Sequence, residues 1–137
     1  MKTTIAAIIV FGTCAFNVVH AQEIRPLTGD ELKSRIAGIS AVQTESNGLV
    51  YRWTNQPDGS TVVTRYSDSR FSKSHNRTAE GEWTISEAGE YCLTVHWDTS
   101  QGGAAMGRDK HWCAPVYAMP DGTLSATPPN AEPVTFK

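Results

Sequence analysis

From residue 38 onward the apolar and polar positions of the chain alternate with a period of two. Short runs at 49–54, 61–66, 82–86, 91–97 and 111–119 read as strands. Asn47-Gly48, Pro57-Asp58-Gly59, Ala88-Gly89 and Pro120-Asp121-Gly122 supply turn chemistry between or beside them. Short strands joined by tight turns predict a mainly β fold: a single antiparallel meander or a small lipocalin-like barrel. One short N-terminal helix, at about 29–37, precedes them. Thr28 and Glu31 have capping-box spacing, and Leu27 and Leu32 occupy the staple positions. Acidic Asp30 and Glu31 come early, basic Lys33 and Arg35 late, and Gly38 suits the residue after the helix end. Leu32 and Ile36 form an apolar stripe wide enough to dock on a sheet. The polar and basic stretch 67–78 reads as a strand edge or a loop. Residues 125–137, with Pro128, Pro129 and Pro133, read as a Pro-rich tail that wraps the β-rich domain of residues 22–124 in extended form or frays.

The start of the chain follows neither period. Lys2 lies in a short charged region, residues 5–19 are mostly apolar, and Val19-His20-Ala21 resembles the small-residue end of a secretory leader. Together these predict a signal peptide over residues 1–21, cut after Ala21. The run is shorter than the ~20 residues of a spanning helix and is broken by Gly12, Thr13 and Asn17. Phe11-Gly12-Thr13 is a poor lipobox, so Cys14 departs with the leader. The expected location is periplasmic or secreted, with no transmembrane segment after cleavage.

Loss of Cys14 leaves Cys92 and Cys113, and two cysteines in an exported domain read as a disulfide. If the bridge joins neighbouring antiparallel strands with Cys92 opposite Cys113, Thr94 faces His111 and His96 faces Asp109. Leu93, Val95, Trp97 and Trp112 then share the other face, which is the expected core side.

That register brings His96, Asp109 and His111 to one surface. A His–Asp–His cluster is a candidate zinc or copper site. Polar residues on the wet face of a half-buried sheet are the more ordinary reading, and no helical His spacing strengthens the metal. Catalysis is disfavoured: no serine sits in a G-x-S-x-G elbow, and a bridge removes both cysteines as nucleophiles. Glu80/Glu82 and Glu87/Glu90 fall near a hairpin, where solvated charges are expected. Between the two bridged strands, residues 98–108 contain Gly102-Gly103-Ala104-Ala105-Met106-Gly107, a loop held at its base but without a P-loop ending. Trp97, Met106, Arg108 and Trp112 are the candidate contacts for a ligand or partner. The formal net charge is −2, and no basic stripe marks a nucleic-acid surface. No cofactor is implied. Asn76-Arg77-Thr78 is a glycosylation sequon of a kind common by chance, and Gly81-Glu82-Trp83 reads as a core Trp beside a glycine that lets its strand bend.

Gly81-x-Trp83-Thr84-Ile85, Gly89-Glu90-Tyr91-Cys92 and Trp112-Cys113 with Val116-Tyr117 resemble a family of short secreted proteobacterial proteins, many of them rhizobial. That family is known only as a domain of unknown function. The Leu27-Thr28-Gly29-x-Glu31-Leu32 helix start and the Tyr51…Pro57-Asp58-Gly59-Ser60 turn fit its pattern, so the likeness runs from about residue 27 to 117. It implies a periplasmic or secreted location and a paired Cys92 and Cys113, and it implies no activity. The Gly-rich loop and Pro-rich tail depart from the pattern. The functional reading is an exported, non-catalytic binding protein for a small apolar ligand or a protein partner. A secreted inhibitor or envelope accessory, and a metal-binding or enzymatic protein using the His/Asp cluster, are the alternatives. An enclosed apolar cavity would favour the small ligand, and a filled core or an exposed aromatic patch a protein partner.

Mass spectrometry of the exported protein is expected to show an N-terminus at Gln22 and no free thiol at Cys92 or Cys113. Two alkylatable cysteines, or a chain still carrying Met1, would contradict the reading.

Overall fold

Thr28 starts the helix α1 (Gly29–Ile36) as its spacing predicts. Its hydroxyl accepts from the Glu31 amide, and the Glu31 carboxylate accepts from the Thr28 amide at 2.8 Å. The reciprocal pair satisfies amides that the first turn leaves open. Arg25 also grips Glu31, at 2.7 and 2.9 Å; this guanidinium first and the Thr28 amide next pull the Glu31 carboxyl down to about 2. Gly38 then turns the chain out of the helix at φ 78°, where a Cβ would be strained. Leu32 and Ile36 are fully buried, so α1 is a packing element.

The computed structural model describes residues 24–67, 76–98 and 109–137. Among these, nine strands follow α1: β1 (Ser40–Thr44), β2 (Leu49–Thr54), β3 (Ser60–Ser67), β4 (Arg77–Ile85), β5 (Tyr91–His96), β6 (Lys110–Ala114), β7 (Val116–Ala118), β8 (Leu124–Ala126) and β9 (Val134–Phe136). They form one antiparallel sheet in the order β6-β5-β4-β3-β2-β1-β9-β8-β7. The two outermost strands, β6 and β7, are consecutive in the chain and separated by Pro115 alone. The sheet therefore curls until its edges meet at one kinked stretch, giving a nearly closed barrel. Its first half pairs with β5 and its second with β8. Proline suits that junction, because it lacks the N–H that a continuous ladder would require. The stretch 111–119, expected as one strand, is two for this reason. β7 is covered on its free side by the Pro26–Tyr117 bridge and by the Leu27 amide, which donates to the Val116 carbonyl at 2.8 Å.

β1, β8 and β9 go beyond what the pattern predicts. The stretch from Ser125, expected to wrap the domain or fray, instead supplies part of β8 and all of β9, with Ala126, Val134 and Phe136 buried. β9 lies between β1 and β8, and its neighbours supply the apolar partners that its three residues cannot supply alone. In β1 only Ala41 is buried, so the alternation there carried little signal. Arg77 and Thr78, placed in the ambiguous stretch 67–78, begin β4.

The barrel has two different ends. At one end α1 packs against β4, and Gly29 lies against Gly89 in the β4–β5 turn. The interior here is filled by Tyr91, Phe136, Trp53, Leu32 and Ile36. Tyr91 stacks near Trp83 and meets Phe136 edge-on at 5.1 Å. Trp83 is buried as expected, and Gly81 is what lets its strand approach β5. A Cβ on Gly81 would lie 2.5 Å from the Thr94 carbonyl oxygen.

One polar chain threads this apolar end. Trp53 Nε1–H donates to the Tyr91 hydroxyl at 3.0 Å, which donates to Asn55 Oδ1 at 2.7 Å. Asn55 Nδ2 donates to the Ile36 carbonyl at the close of α1, at 3.4 Å. Asn55 is fully buried, and burial pushes the Tyr91 phenol up, keeping it neutral and able to donate. Each group here would be expensive to bury without the others. Tyr91→Phe is expected to leave Trp53 Nε1 and Asn55 Oδ1 unpaired and to destabilise the fold by ~2 kcal/mol. Urea unfolding reads this as a lower midpoint at unchanged slope, and an unaltered midpoint would contradict it.

Candidate functional site

At the end opposite α1 the described residues leave the interior open. The register of β5 and β6 decides what faces it. Cys92 lies opposite Cys113 and bonds to it, Leu93 opposite Trp112, Thr94 opposite His111 and Val95 opposite Lys110. With a side-chain period of two, Leu93, Val95, Trp112 and Lys110 point inward, while Thr94 and His111 point out. From β2, Tyr51 and Trp53 join the inner side. These residues enclose an apolar cleft of about 100 Å³ that opens to solvent past the β1–β2 turn and the 127–133 turn.

The cleft is aromatic on several sides. Tyr51 meets Trp97 edge-on, with centroids 6.3 Å apart, and Trp112 reaches Tyr91 of the core at 5.4 Å. Two cations are seated on these rings. The Lys110 ammonium lies 5.3 Å from the Tyr51 centroid, and the guanidinium of buried Arg65, opposite Tyr51 on β3, lies 5.7 Å from that of Trp97. Gln43 and Glu45 bring polar atoms to the β1 side; Gln43 Nε2 donates to the Glu132 carbonyl at 2.6 Å, and Glu45 accepts from Asn47 Nδ2 at 3.0 Å. A shallower polar basin adjoins the cleft and shares Glu45, Pro128 and Ala131 with it.

Of the four ligand or partner candidates, Trp97 and Trp112 both line this cleft. Met106 and Arg108 lie outside the described residues. Tyr51, Trp53, Lys110, Gln43 and Glu45 were not among the expected ligand or partner contacts. Their signal was present: Tyr51 and Trp53 alternate within 49–54, and Lys110 follows from the cysteine register as the partner of Val95.

His96, Asp109 and His111 lie on the outer face. His96 Nδ1 meets Asp109 Oδ2 at 3.0 Å, and its Nε2 approaches Glu82 Oε1 at 3.5 Å. His111 turns to other partners, the Thr94 hydroxyl at 2.9 Å and Cys113 Sγ at 3.6 Å. Among the described residues no group of three or more His, Cys, Asp or Glu side chains is arranged to hold a metal ion. What stands instead is an imidazole clasped by two carboxylates, one of which, Glu82, comes from β4 and was not foreseen. An imidazole with a carboxylate at each nitrogen donates from both and holds its proton tightly.

Asp109 first and Glu82 next raise the His96 pKa above its ordinary 6.5. A raised folded-state value means the clasp stabilises the fold below about pH 6.5 and loses that effect as pH rises through the folded-state pKa. Asp109→Asn is expected to move the His96 titration midpoint in NMR back toward the ordinary value. The stability gap between native and variant protein should narrow as pH rises, and a midpoint that stays in place would refute the clasp.

Among the described residues no helix is long and apolar enough to cross a membrane. Comparisons with curated proteins and with solved structures find no match. A family model does match over residues 7–114, most of the chain. The chain therefore belongs to the family described as "Protein of unknown function (DUF995)".

Proposed function

We propose that this protein is an exported, non-catalytic binding protein whose ligand places one ring-sized apolar group in the aromatic cleft. The observation that carries this reading is the convergence of Tyr51, Trp53, Trp97 and Trp112 on an open space of about 100 Å³ in an otherwise filled barrel. A space of that order suits a single six-membered ring and falls below the ~300 Å³ at which drug-sized pockets begin. The rest of such a ligand would extend past the mouth, over the basin formed with Ser46, Asn47, Asn130 and Glu132.

The placement of aromatic side chains favours a small ligand over a flat protein interface. Among the described residues the large exposed hydrophobics are Ile24, Val62 and Met119, none of them aromatic. Aromatic anchors on an outer patch would be the mark of a protein partner. The inhibitor reading points to the stretch 98–110, of which the structure describes Asp98, Asp109 and Lys110. Export is supported by the leader-like residues 1–21 and by the Cys92–Cys113 bridge, a bond that persists in oxidising compartments.

The tryptophans test this directly. Trp53, Trp97 and Trp112 line the cleft, whereas Trp83 sits at the helix end with its Nε1–H donating to the Gln56 carbonyl at 2.8 Å. Titration with toluene, followed by the indole N–H signals in ¹H–¹⁵N spectra, is expected to shift Trp97 and Trp112 saturably while Trp83 stays fixed. Equal movement of all four signals, or none, would refute the cleft as a binding site.

A further inference from the structure

We propose that the ligand of the cleft is a small ring-bearing carboxylate, its ring between Trp97 and Trp112 and its anionic group at the Lys110 ammonium. This rests on the reading of the cleft as a binding site and adds the charge of what it takes.

Aromatic rings present electron-rich faces, so a cleft with four of them would by itself suit a cation. Here the protein has already placed its own cations on those faces. Lys110 occupies the Tyr51 face and Arg65 the Trp97 face, at 5.3 and 5.7 Å. A cationic ligand in the cleft would meet the Lys110 ammonium, which lines it, and be opposed by like-charge repulsion. An anion meets the reverse situation.

Lys110 is the cation with charge to offer. It stands on the inner face because Val95, its partner across β5–β6, is inward and buried. It forms no ion pair among the described residues. Lys110 is exposed at the mouth of the cleft, where its ammonium lies over the Tyr51 ring and within reach of solvent and of a ligand. The carboxylate that shares the lining, Glu45, belongs to the β1–β2 turn and is already engaged by Asn47 Nδ2. It orients an anionic ligand by repulsion, turning the carboxylate toward Lys110 and the ring toward the tryptophans.

The test uses three ring compounds of one size and different charge: benzoate, benzamide and benzylamine, each titrated against the full exported protein with the tryptophan N–H signals as readout. Benzoate is expected to bind about ten-fold more tightly than benzamide, the effect of one charge-assisted hydrogen bond, and benzylamine most weakly. High salt should reduce the benzoate preference. Lys110→Met, which keeps the stem and drops the charge, should abolish the benzoate-to-benzamide ratio, and Lys110→Arg should retain it. Equal binding of all three, or a preference for benzylamine, overturns the proposal while leaving the cleft a binding site. A benzoate preference that survives in Lys110→Met overturns the assignment of the anion to Lys110. Failure of every ring to move Trp97 and Trp112 overturns the cleft itself.

Discussion

The bond between Cys92 and Cys113 holds β5 and β6 in one register, and the rest of the site depends on that register. Strand side chains alternate, so a slip of β6 by one residue along β5 would send Lys110 and Trp112 outward and bring His111 in. The bridge excludes the slip covalently. Closing the loop between the two cysteines, 21 residues apart, also stabilises the fold by roughly 3 kcal/mol on a chain-entropy account. The same constraint sets the outer face, where His96 reaches Asp109 and His111 reaches Thr94. One covalent link thus decides which side of the sheet is cleft and which is water-facing.

The two ends of the barrel are filled differently. The helix end is dry and crowded, with a buried line of donors and acceptors running from Trp53 through Tyr91 and Asn55 to the last turn of α1. Buried polar groups that all find partners favour a single arrangement. The opposite end keeps an open aromatic space, because no second helix covers it among the described residues. Trp112 connects them, lining the cleft while touching Tyr91 of the core. The cleft is thus joined to the filled end of the barrel through a direct ring contact.

Much of this was legible in the chain because it lies in local patterns. The Thr28/Glu31 capping box, the glycine turns and the central strands announce themselves within a few residues, and the cysteine pair alone supplies the β5–β6 register. What was not legible depends on distant partners. β1 and β9 are short and weakly patterned, and they become strands only because each completes the other's ladder across nearly the whole chain. Pro115 breaks an apparent single strand, since closure requires one stretch to serve both edges. Within the cleft, Trp97 and Trp112 could be named from the register. Tyr51, Trp53 and Glu45 join them only once the barrel is curled, and Glu82 joins His96 only through the β4–β5 pairing.

The place of β9 has a consequence for how such a chain matures. The meander from β1 to β6 is made of neighbours in sequence and can pair as soon as each hairpin is available. Closure is different, because Val134–Phe136 must slot between β1 and β8. The strand last in chain order is thus the one that completes the ring. A chain threaded across a membrane from its N-terminus would carry an open, unfinished sheet until those residues emerged, and only then become a barrel. In such a chain the final strand would act as a latch on assembly, completing the ladder between β1 and β8 last.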